Sequence, residues 1–146
     1  MDMNQEHDLI TSWLSLTHIQ MNIENLLDQS LQAKHDLSLN EFYMLYFLSQ
    51  APLKRLKLQQ LESMVGLSQS AMSRFVARFE AKGCGALRRS ACEEDRRSVY
   101  TSLTDIGQEK VNQAFHTFNE VLIKALPDTD LKGLLESLLR VKQDNQ

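Results

Sequence analysis

Two short helical patterns separated by a tight turn that contains one glycine constrain the fold of this chain more than any other feature. The first begins at Leu58 and stops at Gly66, where its apolar spacing of three and four residues is interrupted. The second begins at Ser68, a residue type that favours helix starts, and stops at Gly83, a type that favours helix ends. Its predicted buried face consists of Ala71, Met72, Phe75, Val76 and Phe79. Two short helices joined by a tight turn that contains glycine are typical of a helix-turn-helix.

Two alternating segments follow this motif and predict a β-hairpin. Residues 86–91 (ALRRSA) and 98–103 (SVYTSL) have the alternation of strands, and the charged segment between them supplies the turn. Thr104 then begins another helical pattern. Because a hairpin directly after a helix-turn-helix is a wing, the sequence predicts a winged helix-turn-helix.

Long helical patterns lie on both sides of this winged segment. Five glycines and two prolines in 146 residues leave few interruptions. The first pattern covers residues 6–34, about 40 Å of helix, and the next begins at Ser38, where Glu41 completes a capping box. After the winged segment, one helix runs from Thr104 to Ala125 and another follows it. The first helix is longer than a small domain needs, which predicts that it packs against a second copy of the chain or around another element.

The charge of the chain is divided between a basic middle and acidic flanks. Residues 52–103 hold ten basic and five acidic residues, a balance of +5, whereas the whole chain has a net charge of −3. The remaining segments therefore carry −8. A basic module on an acidic scaffold is the electrostatic pattern of a polyanion-binding protein.

The composition predicts a cytoplasmic protein without a membrane partner. No apolar run approaches the roughly 18–20 residues that cross a bilayer, and the N-terminal segment is too polar for a signal peptide. No phosphate-binding loop or nucleophile–base pair is present, so the sequence predicts neither an enzyme nor a cofactor. The histidines also lack the spacing of a metal site: His7, His18, His35 and His116.

The order of these elements and two local segments resemble the MarR (multiple antibiotic resistance regulator) family of winged helix-turn-helix transcription factors. Residues 93–107 (EEDRRSVYTSLTDIG) are similar to the family's charged wing and the helix start after it. Residues 67–83 (LSQSAMSRFVARFEAKG) are similar to its recognition helix, whereas residues 83–92 (GCGALRRSAC) are longer than its usual pattern. The resemblance covers nearly the whole chain and implies a mainly α fold with a small β-wing. The predicted parts are an N-terminal dimerisation helix at 1–36, a DNA-binding domain at 37–103 and C-terminal dimerisation helices at 104–146.

The resemblance also implies a function, namely sequence-specific binding of double-stranded DNA by a homodimer that regulates transcription. Such a regulator is usually a repressor that a small-molecule effector or another signal releases. A twofold dimer presents two recognition helices one DNA turn apart, roughly 34 Å, and so reads a pseudo-palindromic operator. Alternatives are a winged-helix module that binds a protein, a cysteine-based redox sensor, and a monomer that buries its own helical stripes.

The polar side of the second short helix supplies the candidate base-reading residues. With the apolar face buried, the residues left outside are Ser68, Gln69, Ser70, Ser73, Arg74 and Arg78. Glutamine pairs with adenine, arginine with guanine, and serine with phosphate or a base edge. The helix N-terminus also attracts phosphate through its free amide groups.

The wing carries a second set of candidates. Asp95 and Arg97 have the i, i+2 spacing that puts both side chains on the same side of an extended strand. In the family that this segment resembles, the arginine of such a pair reaches the minor groove while the aspartate orients the wing. The resemblance implies these roles for Arg97 and Asp95, with Arg96 as the alternative if the longer hairpin shifts the register.

The resemblance implies a small-molecule pocket between the dimerisation helices and the winged domain. Its candidate lining residues are Trp13, His18, Phe42 and Tyr46, each of which also suits an ordinary core or interface.

Cys84 and Cys92 are candidates for redox sensing. If residues 87–91 form a strand, these residues span about 16 Å between the two cysteines. A disulfide needs its Cα atoms within about 7 Å, so the hairpin would have to unravel for the cysteines to pair. A lone thiolate near Arg88 or Arg89 could still be reactive.

Overall fold

The computed structural model describes residues 2–91, 98–126 and 130–144. Its elements in chain order are α1 (Met3–His35), α2 (Leu39–Gln50), β1 (Arg55–Lys57), α3 (Leu58–Val65), α4 (Gln69–Ala81), β2 (Leu87–Ala91), β3 (Val99–Leu103), α5 (Asp105–Ala125) and α6 (Asp130–Asp144). The predicted class, mainly α with a small β-wing, is confirmed. Within the described ranges, no helix is both long enough and apolar enough to span a membrane.

Local capping chemistry begins the helices, as predicted. Ser38 Oγ accepts a hydrogen bond from the Glu41 amide at 3.1 Å, and Glu41 Oε1 accepts one from the Ser38 amide at 2.7 Å. Thr104 Oγ1 accepts one from the Gly107 amide at 3.1 Å and so caps α5. α1 begins earlier than predicted because Asp2 forms a further capping box in front of it.

The three strands form one antiparallel sheet in the order β1-β3-β2. β2 and β3 are the predicted hairpin, and their pairing runs from Leu87 opposite Leu103 to Ala91 opposite Val99. β1 is absent from the sequence prediction, because three residues are too few to show alternation and the strand forms by pairing with β3.

The hydrophobic core lies where the C-terminal half of α1 meets α2, α5 and the helix-turn-helix. Leu27 and Leu31 of α1 are buried there. Apolar side chains from the other elements complete the cluster, among them Phe42, Met44, Leu45, Leu48, Leu61, Val111 and Ala114. The predicted inward residues of α4 are buried as well, namely Met72, Phe75, Val76 and Phe79, whereas Ala71 is half-buried.

The N-terminal half of α1 and part of α6 expose large apolar side chains. Trp13 is 65% exposed. The same holds for Leu9, Ile10 and Leu14 on α1 and for Leu135, Leu138, Leu139 and Val141 on α6. The single chain therefore does not bury these stripes, and apolar surface of this extent marks an interaction surface.

Candidate nucleic-acid interface

α4 is positioned by the turn and the cap that precede it. Gly66 adopts a left-handed conformation with φ 85°, which ends α3 and lets the chain turn tightly. Ser68 Oγ then accepts a hydrogen bond from the Ala71 amide at 3.3 Å and begins α4. The helix ends at Ala81, before the predicted end at Gly83.

The polar side of α4 faces solvent. All the side chains predicted to point outward are exposed: Ser68, Gln69, Ser70, Ser73, Arg74 and Arg78. Long polar side chains on an exposed helix of this kind can reach base edges in a major groove. The placement suits a recognition helix, and the contacts with DNA stay a prediction.

An ion pair between the exposed Lys82 and the buried Glu41 fixes the C-terminal end of α4 relative to α1 and α2. Lys82 Nζ lies 2.8 Å from Glu41 Oε1 and donates a second hydrogen bond to the Asp36 carbonyl at 3.0 Å. Glu41 is only 7% exposed, so its carboxylate depends on Lys82 and the Ser38 amide. The sequence predicts the Glu41 cap but not its partner Lys82, because no local pattern links residues so far apart in the chain.

A second ion pair ties the wing to α4. Arg89 Nε on β2 donates a hydrogen bond to Glu80 Oε1 on α4. The Glu80 carboxylate therefore holds the Arg89 side chain against α4. The other predicted wing residues, Asp95, Arg96 and Arg97, lie outside the described residues.

A polar contact joins the end of α1 to α5. His35 Nε2 lies 2.7 Å from Thr117 Oγ1, and Lys110 Nζ donates a hydrogen bond to the His35 carbonyl at 3.2 Å. Burial lowers the pKa of His35 below its ordinary value of 6.5, and the positive charges of Lys110 and Lys34 lower it further. The folded protein therefore favours the neutral imidazole at this junction.

Acidification is expected to destabilise the protein through His35. The unfolded chain binds the His35 proton more readily than the folded chain, so stability is complete above the unfolded pKa of 6.5 and falls as the pH drops below it. Denaturant titrations between pH 7.5 and 5 should show a smaller loss for His35→Asn than for the wild type. His7→Asn, at an exposed site on α1, is the control, and equal pH profiles for wild type and His35→Asn would contradict this role.

The predicted pocket residues are distributed over two different places. Phe42 is 2% exposed and stacks on Phe118, with ring centroids 4.9 Å apart, so it belongs to the core. Tyr46 stacks on Phe115 at 6.2 Å beside a cavity of about 330 Å³ between α2 and α5. Trp13 and His18 lie exposed on the N-terminal half of α1, and neither lines this cavity in the single chain.

The structure describes one of the two cysteines that are predicted to sense redox changes. Cys84 is half-buried, carries a free thiol, and borders a cleft of about 350 Å³ between the end of α4 and β2. Cys92 lies outside the described residues, so redox sensing by either cysteine stays a prediction. Among the residues that the structure describes, no group of three His, Cys, Asp or Glu side chains could hold a metal ion.

Known proteins share this fold and part of this sequence pattern. Residues 37–99 match the model of the MarR family. Sco3205, a MarR family transcriptional regulator from Streptomyces coelicolor solved in complex with DNA, is 24% identical with a TM-score of 0.82, over 99% of this chain and 90% of that one. The transcriptional regulator BldR from Sulfolobus solfataricus is 22% identical with a TM-score of 0.75, over 99% of each chain. A mutant of MarR from E. coli, complexed with operator DNA, is 21% identical with a TM-score of 0.74, over 97% of this chain and 99% of that one.

Comparison with curated proteins gave no match. The structural likenesses show a shared fold along nearly the whole length, and the family match runs from α2 through the helix-turn-helix to β2 and the first residue of β3. Together with the exposed polar side of α4, they lead to one conclusion: the chain has the winged-helix fold, and its residues 37–99 match the MarR family.

Proposed function

We propose that this protein is a homodimeric transcriptional regulator that binds double-stranded DNA through α4. The observation that carries the proposal is the exposed polar side of α4, held outward by four buried apolar side chains in the basic segment of the chain. Gln69, Ser70 and Ser73 lie in the N-terminal half of α4, the half that enters the major groove in helix-turn-helix proteins. Arg97, or Arg96 in the other register, is proposed to reach the adjacent minor groove, while Asp95 orients the wing.

A titration of a fluorescent duplex tests this function against the main alternative. Because several phosphates are contacted in each half-site, affinity should fall by about 10³-fold or more between 50 and 200 mM salt. A winged-helix module that binds only proteins would leave the anisotropy of the duplex unchanged at low salt. That result would refute DNA binding and favour the protein-interaction module.

The dimer is proposed to form through the exposed apolar stripes of α1 and α6. These stripes lie in the segments 1–36 and 104–146, and the winged segment 37–103 lies between them in the chain. A twofold axis through such an interface presents two copies of α4 to one pseudo-palindromic site.

Charge in this stripe is expected to prevent dimerisation. Trp13→Glu combined with Leu138→Glu places carboxylates where apolar side chains would be buried between protomers, so light scattering after size exclusion should give the monomer mass. Leu53→Glu is the matched control, since Leu53 is 80% exposed in the turn before β1, away from the stripe. A double variant that keeps the wild-type mass would exclude this interface.

The protein is also proposed to be cytoplasmic and to be released from DNA by a signal. The protein is proposed to act as a repressor, and the cavity beside Tyr46 and Phe115 is the place for a small aromatic effector because both rings border it. Redox control through Cys84 or Cys92 is the alternative signal. Mass spectrometry after peroxide treatment would detect it, and unmodified thiols would exclude it.

A further inference from the structure

The three strands carry a second basic surface on the side that faces away from the helices. In an antiparallel sheet, residues directly opposite each other share a face. Arg55 on β1 and Arg88 on β2 both lie opposite Ser102 on β3, and Lys57 and Ser90 both lie opposite Tyr100. These six residues form two rows across the sheet, and we call them the outer face: Arg55, Lys57, Arg88, Ser90, Tyr100 and Ser102.

The opposite side of the same sheet is already occupied. Leu56, Thr101 and Leu103 alternate with the outer-face residues and are each at most 8% exposed, because they pack against the helical layer. Arg89 also belongs to that inner side, where it is paired with Glu80 of α4. The outer face is therefore separated from α4 by the thickness of the sheet.

The outer face is accessible and positively charged. Arg55, Arg88 and Ser90 are exposed, and the other three residues are half-buried. The described residues of the three strands include no aspartate or glutamate, so the charge of this face is not neutralised within the sheet. The row from Arg55 to Arg88 crosses two strand spacings, about 10 Å.

Tyr100 holds two of these cations in place. The Arg55 Cζ atom lies 4.3 Å from the centroid of the Tyr100 ring, and Lys57 Nζ lies 5.9 Å from it. Arg55 is paired with Ser102, so its guanidinium reaches along the sheet towards Tyr100 and the wing turn. The charges of Arg55 and Lys57 are thus gathered at Tyr100, whereas Arg88 lies in the other row, opposite Ser102.

We infer that the outer face binds the phosphate backbone of the DNA that flanks the operator. This inference rests on the proposed function, in which α4 occupies a major groove and the wing the next minor groove. Because α4 lies on the inner side, the outer face is directed away from the half-site, towards the duplex beyond the wing. Its residue types, arginine, lysine, serine and tyrosine, are those that contact phosphates. An acidic protein is the weaker candidate, since the face lacks the apolar core of most protein interfaces.

The test compares two duplexes that carry the same selected operator sequence. One has about 2 base pairs on each side of the operator and the other about 14, so the longer duplex extends more than one helical turn beyond each half-site. The wild type should bind the longer duplex about tenfold more tightly at low salt, because each protomer gains two phosphate contacts. These contacts should also steepen the slope of log affinity against log salt concentration by about three to four. Arg55→Gln/Arg88→Gln should bind the short duplex within about twofold of the wild type but lose the gain from the flanks.

Two matched variants separate this contact from general electrostatics. Lys34→Gln/Lys124→Gln removes the same charge from exposed sites on α1 and α5 and should keep the gain. Arg55→Lys/Arg88→Lys keeps the charge and should keep it too. No gain for the wild type, or an equal loss on both duplexes for Arg55→Gln/Arg88→Gln, would overturn the inference. Binding of polyglutamate without any gain would assign the face to acidic proteins instead. Failure to bind either duplex would refute the proposed function itself.

Discussion

Replacing Gly107 with alanine is expected to lower the free energy of unfolding by about 3 kcal/mol, because the new methyl group has no room. A Cβ atom at this position would lie 2.3 Å from the Ala86 carbonyl oxygen and 2.5 Å from Leu103 Cδ1. The Ala86 carbonyl cannot move freely, since it accepts a hydrogen bond from the Thr104 amide at 3.0 Å. Thr104 in turn donates its hydroxyl to the Gly85 carbonyl at 2.6 Å. The methyl group would therefore push α5 away from the sheet.

Chemical denaturation followed by circular dichroism measures this effect. Gly133→Ala is the matched control, because no atom lies within 4 Å of the added methyl group and the site is in the helix α6. Alanine there should be neutral or stabilise the helix by up to about 1 kcal/mol. If Gly107→Ala unfolded at the wild-type denaturant concentration, the close packing of α5 on the residues before β2 would be wrong.

Removing two polar side chains from α4 is expected to weaken operator binding by about 100-fold. Gln69→Ala combined with Arg74→Ala leaves the buried face of the helix intact and deletes one amide and one guanidinium from each half-site. Two half-sites that each lose about 1.5 kcal/mol of base recognition give a loss of about 3 kcal/mol. Discrimination between the operator and a scrambled duplex should fall by a similar factor, since base contacts carry the specificity.

Anisotropy titrations with both duplexes test this prediction. Gln113→Ala/Lys124→Ala deletes one glutamine and one cation from exposed positions on α5 and should keep wild-type affinity and discrimination. A change in affinity without a change in discrimination would mean that Gln69 and Arg74 contact phosphates and not bases. Wild-type affinity for the α4 variant would remove this helix from the proposed interface.

Much of the fold is predictable because its signals are local. Each of three residues begins a helix by accepting a hydrogen bond from the amide three residues further on, and that chemistry is visible in the sequence: Ser38, Ser68 and Thr104. The alternation of residues 98–103 predicts β3 for the same reason. The sequence does not predict β1, because a strand of three residues forms only when β3 is present to pair with it.

In the candidate site too, the features that depend on local sequence are predictable and those that depend on distant contacts are not. The exposed side of α4 follows from its buried side, so its residues could be chosen from spacing alone. The contacts that position the helix could not, since Lys82 meets Glu41 and His35 meets Thr117 across long stretches of chain. The basic residues Arg55 and Lys57 count toward the positive charge of the middle segment, but their common face depends on the unpredicted strand β1.

Selection of bound duplexes from a random library tests the central claim, that two copies of α4 in a twofold dimer read DNA. We expect enrichment of an inverted repeat whose half-sites are centred about 10 base pairs apart, and loss of that enrichment when Gln69 and Arg74 are replaced by alanine. Absence of any enriched sequence at low salt, or an enriched sequence that the α4 variant selects equally well, would contradict it.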